Sequence, residues 1–249
     1  MTDVVSCDVR EGVAFVRMNR PEKHNAFHRE LSLAMSDLID RLEEDDGVRV
    51  VLLIGTGKAF SAGADMTEAM ASLDAGARGD AMAQAVARVA RFTKPVVAAV
   101  NGYAFGGGAA LACACDIRLA SDRASFRFPG ASYGLVVGGS QLPRIVGAAK
   151  AKELIFTARV VDAAEAERIG LVNRVVPHDA LEDAAWELAR QIAEQSPAAV
   201  RWSKAVIDAA TTVDKGIELE IEANRALRGS PEHVARFREA TDRVAGSEG

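Results

Sequence analysis

The sequence predicts an α/β fold made of repeated strand–strand–helix units, followed by a helical C-terminal part. Short apolar runs, among them RVVLLIG and KPVVAAV, end in glycine-rich stretches and alternate with segments of helical periodicity. From Ala148 onward the helical pattern is almost continuous. We therefore expect a spiral core domain at residues 1–195 and a helical C-terminal region at residues 196–249.

The first half alternates between buried strands and amphipathic helices. Residues 29–44 repeat leucine and methionine at helical spacing, whereas the apolar run at 49–55 is short and ends in GTGKAFSAGAD. The predicted order is a strand at 13–17, a helix at 29–44, a strand at 49–55, a helix at 78–92, a strand at 94–100, a helix after the glycine run and a strand at 117–121.

The second half is predicted to be helical, with proline and glycine separating its segments. The candidate helices are 148–157, 163–169, 180–195, 197–210, 214–228 and 231–244. Asp162 is a suitable N-cap, and Glu165 three residues later gives an acidic start that resembles a capping box. We expect His178 and His233, in this helical part, to be solvated.

Composition and charge limit the classes of function. The 249 residues are 49% hydrophobic and carry a net charge of −5, which argues against binding to nucleic acid. We read no signal peptide and no apolar run of membrane-spanning length. Three cysteines, Cys7, Cys113 and Cys115, fit a reducing cytoplasm. The C-x-C pair could bind a metal, but with no partner nearby two core cysteines are favoured.

Two glycine loops, SAGAD and GGG, each follow a buried strand. GTGKAF lacks the glycine spacing of a P-loop, and Leu111 stands where a dinucleotide fingerprint starting at Gly106 needs its last glycine. One remaining interpretation is a pair of backbone N–H donors that point at one oxygen, one from each loop. The other is that both loops need glycine only for tight packing. The residues alone leave both open.

Five blocks of sequence resemble the crotonase family, which includes enoyl-CoA hydratases and isomerases. They run in family order from Asn19 to Pro177: NRPEKHNAF, GTGKAFSAGADMTE, KPVVAAVNGYAFGGGAALACACDIRLAS, FRFPGASYGLVVGGSQLPRIVG and DAAEAERIGLVNRVVP. The resemblance implies an α/β ββα spiral core, a helical C-terminal trimerisation region, and a homotrimer or dimer of trimers. It implies an acyl-CoA or enoyl-CoA thioester as substrate, with no separate cofactor and no metal.

The resemblance also assigns site residues. The two backbone amides of an oxyanion hole would be those of Ala64 and Gly107. The implied contacts to coenzyme A are Lys23 at the phosphates, His24 where the family often has arginine, Ala26 and Ala62 to Asp65 around the adenine with Met66 beside them, and Phe237. Asp65 can equally serve only to order its loop. Ala240 stands where the family has a lysine near Phe237, so the contact of that lysine is not carried over.

The chain departs from the hydratase pattern at both catalytic positions. Ala110 and Gly130 stand where hydratases of the family have glutamates. Beyond YGL, where isomerases and dehalogenases have a carboxylate, the sequence reads VVG. Replacement groups could be Tyr133, Ser132 or Ser140 in the second loop, or Glu68 after the first, although packing or loop roles are favoured for each.

Three functions remain open from the sequence. The first is an acyl-CoA enzyme of the hydratase/isomerase type whose chemistry is altered or weak. The second is a non-catalytic acyl-CoA carrier or sensor, which the missing carboxylates suggest. The third is an oligomeric scaffold that keeps the fold without binding coenzyme A esters.

Overall fold

The computed structural model describes residues 4–74, 81–211, 221–222 and 224–246. Over these residues a six-stranded main sheet has the order β1-β2-β3-β5-β7-β10. Strands β1 and β2 are antiparallel and the other neighbours are parallel. The main-sheet strands are β1 (Val5–Arg10), β2 (Val13–Met18), β3 (Val50–Gly55), β5 (Val96–Val100), β7 (Ile117–Ser121) and β10 (Arg174–Val176).

A smaller sheet of short strands has the order β4-β6-β8-β9. Its strands are β4 (Ala59–Ser61), β6 (Tyr103–Phe105), β8 (Ser125–Arg127) and β9 (Val160–Asp162). Three successive units, β3-β4, β5-β6 and β7-β8, each give one strand to the main sheet and one to the small sheet before helices follow. This confirms the predicted strand–strand–helix spiral.

The helices surround the main sheet on both faces. Their bounds are α1 (Arg29–Glu44), α2 (Met66–Asp74), α3 (Ala81–Arg91), α4 (Gly107–Ala114), α5 (Leu142–Val146), α6 (Ala148–Thr157), α7 (Ala163–Arg168), α8 (Leu181–Ala193), α9 (Pro197–Thr211) and α10 (Pro231–Gly246). Residues alternate between faces along β3, so Leu52 packs with α8 and Leu53 with the core on the α1 side. Both faces are therefore buried, as is typical of parallel strands.

Several boundaries agree with the sequence and some do not. The predicted helices at 29–44 and 148–157 and the strand at 117–121 have the observed bounds. Strands β9 and β10 lie in the gaps between the predicted helices 148–157, 163–169 and 180–195, and they were not predicted because three-residue strands show no periodicity. The start of the helix predicted at 78–92 and much of the one predicted at 214–228 lie outside the described residues. The division at residues 195 and 196 falls between α8 and α9 and stays a prediction.

The start of α7 has one of the two hydrogen bonds of a capping box. Asp162 Oδ1 accepts a 2.7 Å hydrogen bond from the Glu165 N–H, which confirms the predicted N-cap. The Glu165 carboxylate does not return to the cap residue, because Arg159 binds both of its oxygens at 2.6 Å. The expected reciprocal box is therefore replaced by an ion pair.

Two buried asparagines join three segments beneath the glycine loops. Asn25 Nδ2 donates to the Ala59 carbonyl oxygen at 2.8 Å, and Asn101 Nδ2 donates to the same oxygen at 3.3 Å. Ser61 Oγ adds a 2.9 Å bond to the Asn25 carbonyl oxygen. The segments that contain NRPEKHNAF, SAGAD and GGG are thus fixed to one another below the surface.

The cysteines of the C-x-C pair lie in the core. Cys113 and Cys115 are 4% and 3% exposed. Burial raises the pKa of Cys113 to about 11 and that of Cys115 to about 12, so both thiols stay protonated at neutral pH. Within the described residues, no three His, Cys, Asp or Glu side chains are grouped as metal ligands. No helix in the described part of the chain has the length and apolar character to cross a membrane.

Candidate active site

Two glycine loops leave the small sheet side by side. The SAGAD loop (residues 61–65) follows β4 and the GGG turn (Gly106–Gly108) follows β6, and these strands pair in parallel. Their carboxyl ends therefore meet at one edge of the sheet, where ligands of α/β proteins commonly bind. An added Cβ on Gly63 would lie 3.1 Å from the Gly107 nitrogen, so the two loops are in contact.

The GGG turn needs glycine for its conformation and its packing. Gly106 has φ +55°, which L side chains rarely adopt. An added Cβ on Gly108 would lie 2.1 Å from the Ser61 carbonyl oxygen, so α4 packs directly on β4. Backbone conformation therefore explains Gly106 and tight packing explains Gly108, and both explanations are compatible with a donor role for the residue between them.

Two backbone N–H groups at this contact have no hydrogen-bond partner among the described residues. Around Ala64, the Phe27 N–H donates to the Gly63 oxygen at 2.7 Å and the Asp65 N–H donates to the Phe27 oxygen at 2.9 Å, which leaves the Ala64 N–H unused. Gly107 is the first residue of α4, a position where no intrahelical acceptor exists. Ala64 is exposed and Gly107 is half-buried, with the Met82 side chain packed against Gly107.

The residues expected at coenzyme A lie next to the SAGAD loop. Lys23 and His24 are exposed in and after a 3₁₀ turn at Pro21–Lys23, and the His24 carbonyl oxygen accepts a 2.9 Å bond from the Ala62 N–H. Ala26 is buried at 8% exposure, and Met66 begins α2 directly after the loop. The structure brings these residues together, while their contacts with coenzyme A stay predictions.

Asp65 orders its loop. Its Oδ1 accepts the N–H groups of Thr67 and Glu68 at the start of α2, at 3.1 and 3.3 Å, and its Oδ2 lies 3.2 Å from Arg20 Nη1. Burial raises the pKa of the Asp65 carboxyl, but the hydrogen bonds from Glu68 and Arg20 outweigh it and leave the pKa below its ordinary value. Of the two roles left open by the sequence, the ordering contacts are observed and an adenine contact stays a prediction.

The second loop (residues 129–140) leaves no room for a side chain at Gly130. An added Cβ there would lie 2.9 Å from both the Leu135 oxygen and the Val137 nitrogen, and Gly130 is buried. Ala110, in contrast, is half-buried on α4. The two positions where the family resemblance places glutamates therefore differ. Gly130 has no space for a larger side chain, whereas Ala110 only lacks the carboxylate.

The side chains that the sequence suggests as replacements for the missing glutamates are not equally available, because some already bind other groups. Glu68 Oε1 accepts the Arg29 N–H at 2.7 Å, so this carboxylate caps α1. Ser140 is engaged with another group. Ser132 and Tyr133 are half-buried in the second loop. Tyr133 therefore remains the ionisable side chain that this loop itself contributes.

The C-terminal residues pack against the second loop of the same chain. Asn224 donates to the Val136 oxygen at 2.7 Å and accepts its N–H at 2.9 Å. Phe237 is 5% exposed, and its ring centroid lies 5.8 Å from that of Tyr133. Phe237 thus reaches the second loop within one chain, whereas in the family this residue often reaches the site across a subunit interface.

The expectation that His178 and His233 are solvated is wrong. His233 is 2% exposed, and its Nδ1 lies 2.6 Å from the Tyr133 carbonyl oxygen. Because the carbonyl only accepts, Nδ1 carries the proton of this bond. His178 is half-buried, and its Nδ1 atom is buried with no hydrogen-bond partner in the part of the chain that the structure describes. Helical periodicity gave no sign of the burial of His233, since its contact with Tyr133 joins segments 100 residues apart in sequence.

The site combines two N–H donors, unpaired among the residues described, with the exposed basic side chains of Lys23 and His24 next to the SAGAD loop. Such donors stabilise negative charge that develops on a carbonyl oxygen, because they are already oriented and need no rearrangement. The N-terminal end of α4 adds a positive partial charge at Gly107. The carboxylates that follow Ala64, Asp65 and Glu68, are both held by backbone N–H groups. The arrangement favours carbonyl polarisation over proton transfer by a carboxylate.

Known proteins share this sequence and fold. The family model described as enoyl-CoA hydratase/isomerase matches residues 8–245. A short-chain-enoyl-CoA hydratase from Clostridium acetobutylicum is 41% identical over 221 residues, which cover 86% of this chain and 85% of that protein.

Solved structures with two different activities in their descriptions also match. A crystal structure of an enoyl-CoA hydratase/isomerase from Xanthobacter autotrophicus Py2 is 33% identical with a TM-score of 0.87, covering 97% of this chain and 94% of that one. A monofunctional enoyl CoA isomerase from M. smegmatis is 37% identical with a TM-score of 0.72, covering 84% of this chain and 94% of that one.

Proposed function

Since the chain belongs to the enoyl-CoA hydratase/isomerase family, we propose that it binds an acyl-CoA or enoyl-CoA thioester and polarises the thioester carbonyl between the N–H groups of Ala64 and Gly107. The observation that carries this proposal is a pair of N–H groups, where the SAGAD loop meets the GGG turn, that have no partner within the described ranges of the chain. Charge that develops on the thioester oxygen in an enolate-like state would be stabilised there.

The coenzyme A part of the ligand would lie along the segments next to the SAGAD loop. Lys23 is exposed and would approach the phosphates, with His24 beside it. The backbone at Ala26 and Ala62 to Asp65 would hold the adenine, next to Met66. Tyr133 would border the acyl group, and Phe237, in ring contact with Tyr133, would reach coenzyme A.

The reaction would be a hydration or isomerisation with altered or weak chemistry. Hydration needs a base to deliver water and an acid to protonate the neighbouring carbon, and each such group contributes about 10²–10⁴-fold to the rate. The chain has Ala110 and Gly130 at the two positions of the family glutamates. Without this acid and base, a polarised thioester would still exchange or shift protons, but slowly.

A spectroscopic titration tests carbonyl polarisation without requiring turnover. A conjugated 2,4-dienoyl-CoA should bind with a red shift of its absorbance, because hydrogen bonds to the thioester oxygen draw electrons along the conjugated chain. The same ligand in buffer and with denatured protein gives the baseline. Binding with an unshifted spectrum would contradict the proposal.

A non-catalytic carrier or sensor is the second candidate, and the closed space at Gly130 favours it. It predicts tight binding of enoyl-CoA esters, from crotonyl-CoA to dodecenoyl-CoA, with no turnover above the uncatalysed rate. The enzyme proposal predicts measurable product from at least one ester. Ala110→Glu should raise hydration in an enzyme with an intact oxyanion hole, while Ala164→Glu on the exposed surface of α7 should not change it. Turnover by the unmodified protein rules out the carrier.

We also propose assembly into trimers or dimers of trimers in the cytoplasm. Helix α9 supports assembly because it exposes Trp202, Val206 and Ile207 at 73%, 64% and 61%. Adjacent large apolar side chains of this exposure are typical of surfaces that bind another subunit. The three free thiols support a reducing compartment.

A further inference from the structure

A partly buried ion pair connects the NRPEKHNAF segment with the SAGAD loop. Arg20 Nη1 donates to the Ala26 carbonyl oxygen at 2.6 Å and to Asp65 Oδ2 at 3.2 Å. The side chains of Arg20 and Asp65 are 13% and 12% exposed. Removing one partner of such a pair leaves the other charge poorly solvated, so the geometry around it is strongly specified.

Both oxygens of the Asp65 carboxylate are in use. Oδ2 binds Arg20, while Oδ1 accepts the N–H groups of Thr67 and Glu68 at the start of α2. The side chain therefore cannot rotate without breaking bonds on one side or the other. The peptide unit directly before it, which carries the Ala64 carbonyl, is held from this side.

Ala64 is also held from its other side. The Gly63 oxygen accepts the Phe27 N–H at 2.7 Å, and the Asp65 N–H donates to the Phe27 oxygen at 2.9 Å. Gly63 itself lies against the GGG turn, since an added Cβ would meet the Phe105 oxygen at 2.7 Å. Contacts on both sides thus set the direction of the Ala64 N–H. Arg20 takes part in them through Asp65, as a charged side chain from another segment.

We propose that Arg20 is a positioning residue, which acts through Asp65 and Ala26 to hold the Ala64 N–H at the angle that a thioester oxygen requires. This role rests on the proposed function. Arg20 would not touch the reacting atoms. Its effect would appear in polarisation of the bound thioester, because a displacement of about 1 Å at a catalytic group can cost ~10²-fold in rate.

The test uses Arg20→Met, with Arg17→Met as the matched control. Arg17 lies three residues earlier, pairs with Glu182 on α8 at 3.1 Å and is partly exposed, so its replacement removes an ion pair outside the SAGAD loop. With protein in saturating excess, Arg20→Met should reduce the red shift of bound 2,4-dienoyl-CoA. In steady-state assays it should lower kcat by about 10²-fold, a larger factor than its increase in KM. Arg17→Met should keep the unmodified protein's red shift.

Two further variants separate positioning from stability. Arg20→Lys keeps the charge and can reach one of the two acceptors, so it should restore part of the red shift. If Arg20→Met does not fold, Asp65→Asn takes its place in the test. This variant keeps an oxygen for α2 but loses the charge that faces Arg20, and it should also lower the red shift. Equal red shifts in Arg20→Met and the unmodified protein would overturn the inference. An unshifted spectrum in the unmodified protein itself would overturn the proposed function, and the role of Arg20 with it.

Discussion

Gly130 decides whether a catalytic carboxylate could be restored to the second loop. Backbone atoms of Leu135 and Val137 lie 2.9 Å from the place of an added Cβ, and backbone cannot move aside as a flexible side chain does. Gly130→Glu should therefore lower the free energy of unfolding by more than the ~1–3 kcal/mol typical of overpacking, because it also buries a charge.

Urea denaturation checks this expectation, with Ala110→Glu as the comparison on half-buried α4. Ala110→Glu should unfold close to the unmodified protein. Equal urea midpoints for Gly130→Glu and Ala110→Glu would contradict this expectation, because they would mean that the second loop can accommodate a side chain in place of Gly130.

At the scale of single residues, a motif indicates which loops meet, but no local pattern indicates a contact between distant segments. The SAGAD loop and the GGG turn meet at Gly63 and Gly107, as expected for loops after paired strands, while the roles of Ala64 and Gly107 stay predictions. Arg20 lies in a quoted motif, but its partner Asp65 is 45 residues away and no local pattern connects them. His233 likewise reads as a surface residue of a helix until the second loop covers it.

At the scale of elements, the N-cap of α7 offers a direct measurement. Asp162→Ala removes the 2.7 Å bond to the Glu165 N–H and should cost about 1 kcal/mol of stability. Asp37→Ala, on the exposed side of α1, is the control and should change stability little. Thermal unfolding followed by circular dichroism compares the two. Equal melting temperatures would mean that the ion pair of Glu165 with Arg159 supports the helix start without the cap.

Long elements were predictable and short ones were not. Helix α1 repeats its apolar residues over four turns and was predicted with its observed bounds. Strands of three residues, such as β4, β6 and β9, are defined by the neighbours they pair with and not by their own pattern. The small sheet that places both glycine loops therefore arises from tertiary pairing, which the sequence indicates only through the family resemblance.

At the scale of the whole molecule, α9 is the surface expected to bind other subunits. Trp202→Asp should reduce the mass measured by light scattering from that of a trimer or hexamer toward that of one chain, because it puts a charge into the apolar contact. Leu33→Asp, at an exposed position of α1, is the control and should leave the mass unchanged. A Trp202→Asp protein that keeps the mass of the unmodified assembly would place the interface elsewhere.

The shared carbonyl of Ala59 has a consequence for how the site moves. Asn25 and Asn101 both donate to this one buried oxygen, and each Nδ2 also donates to a second carbonyl oxygen, that of Thr56 at 2.9 Å for Asn25 and that of Gly57 at 2.8 Å for Asn101. Opening either segment therefore removes the donor from that second carbonyl, and a carbonyl left buried and unpaired costs about 1–3 kcal/mol. Local unfolding of the two glycine loops is therefore coupled to that of the sheet below them. An incoming ligand would meet donors whose conformational entropy was already lost when the chain folded, so little of its binding free energy would be spent on ordering them.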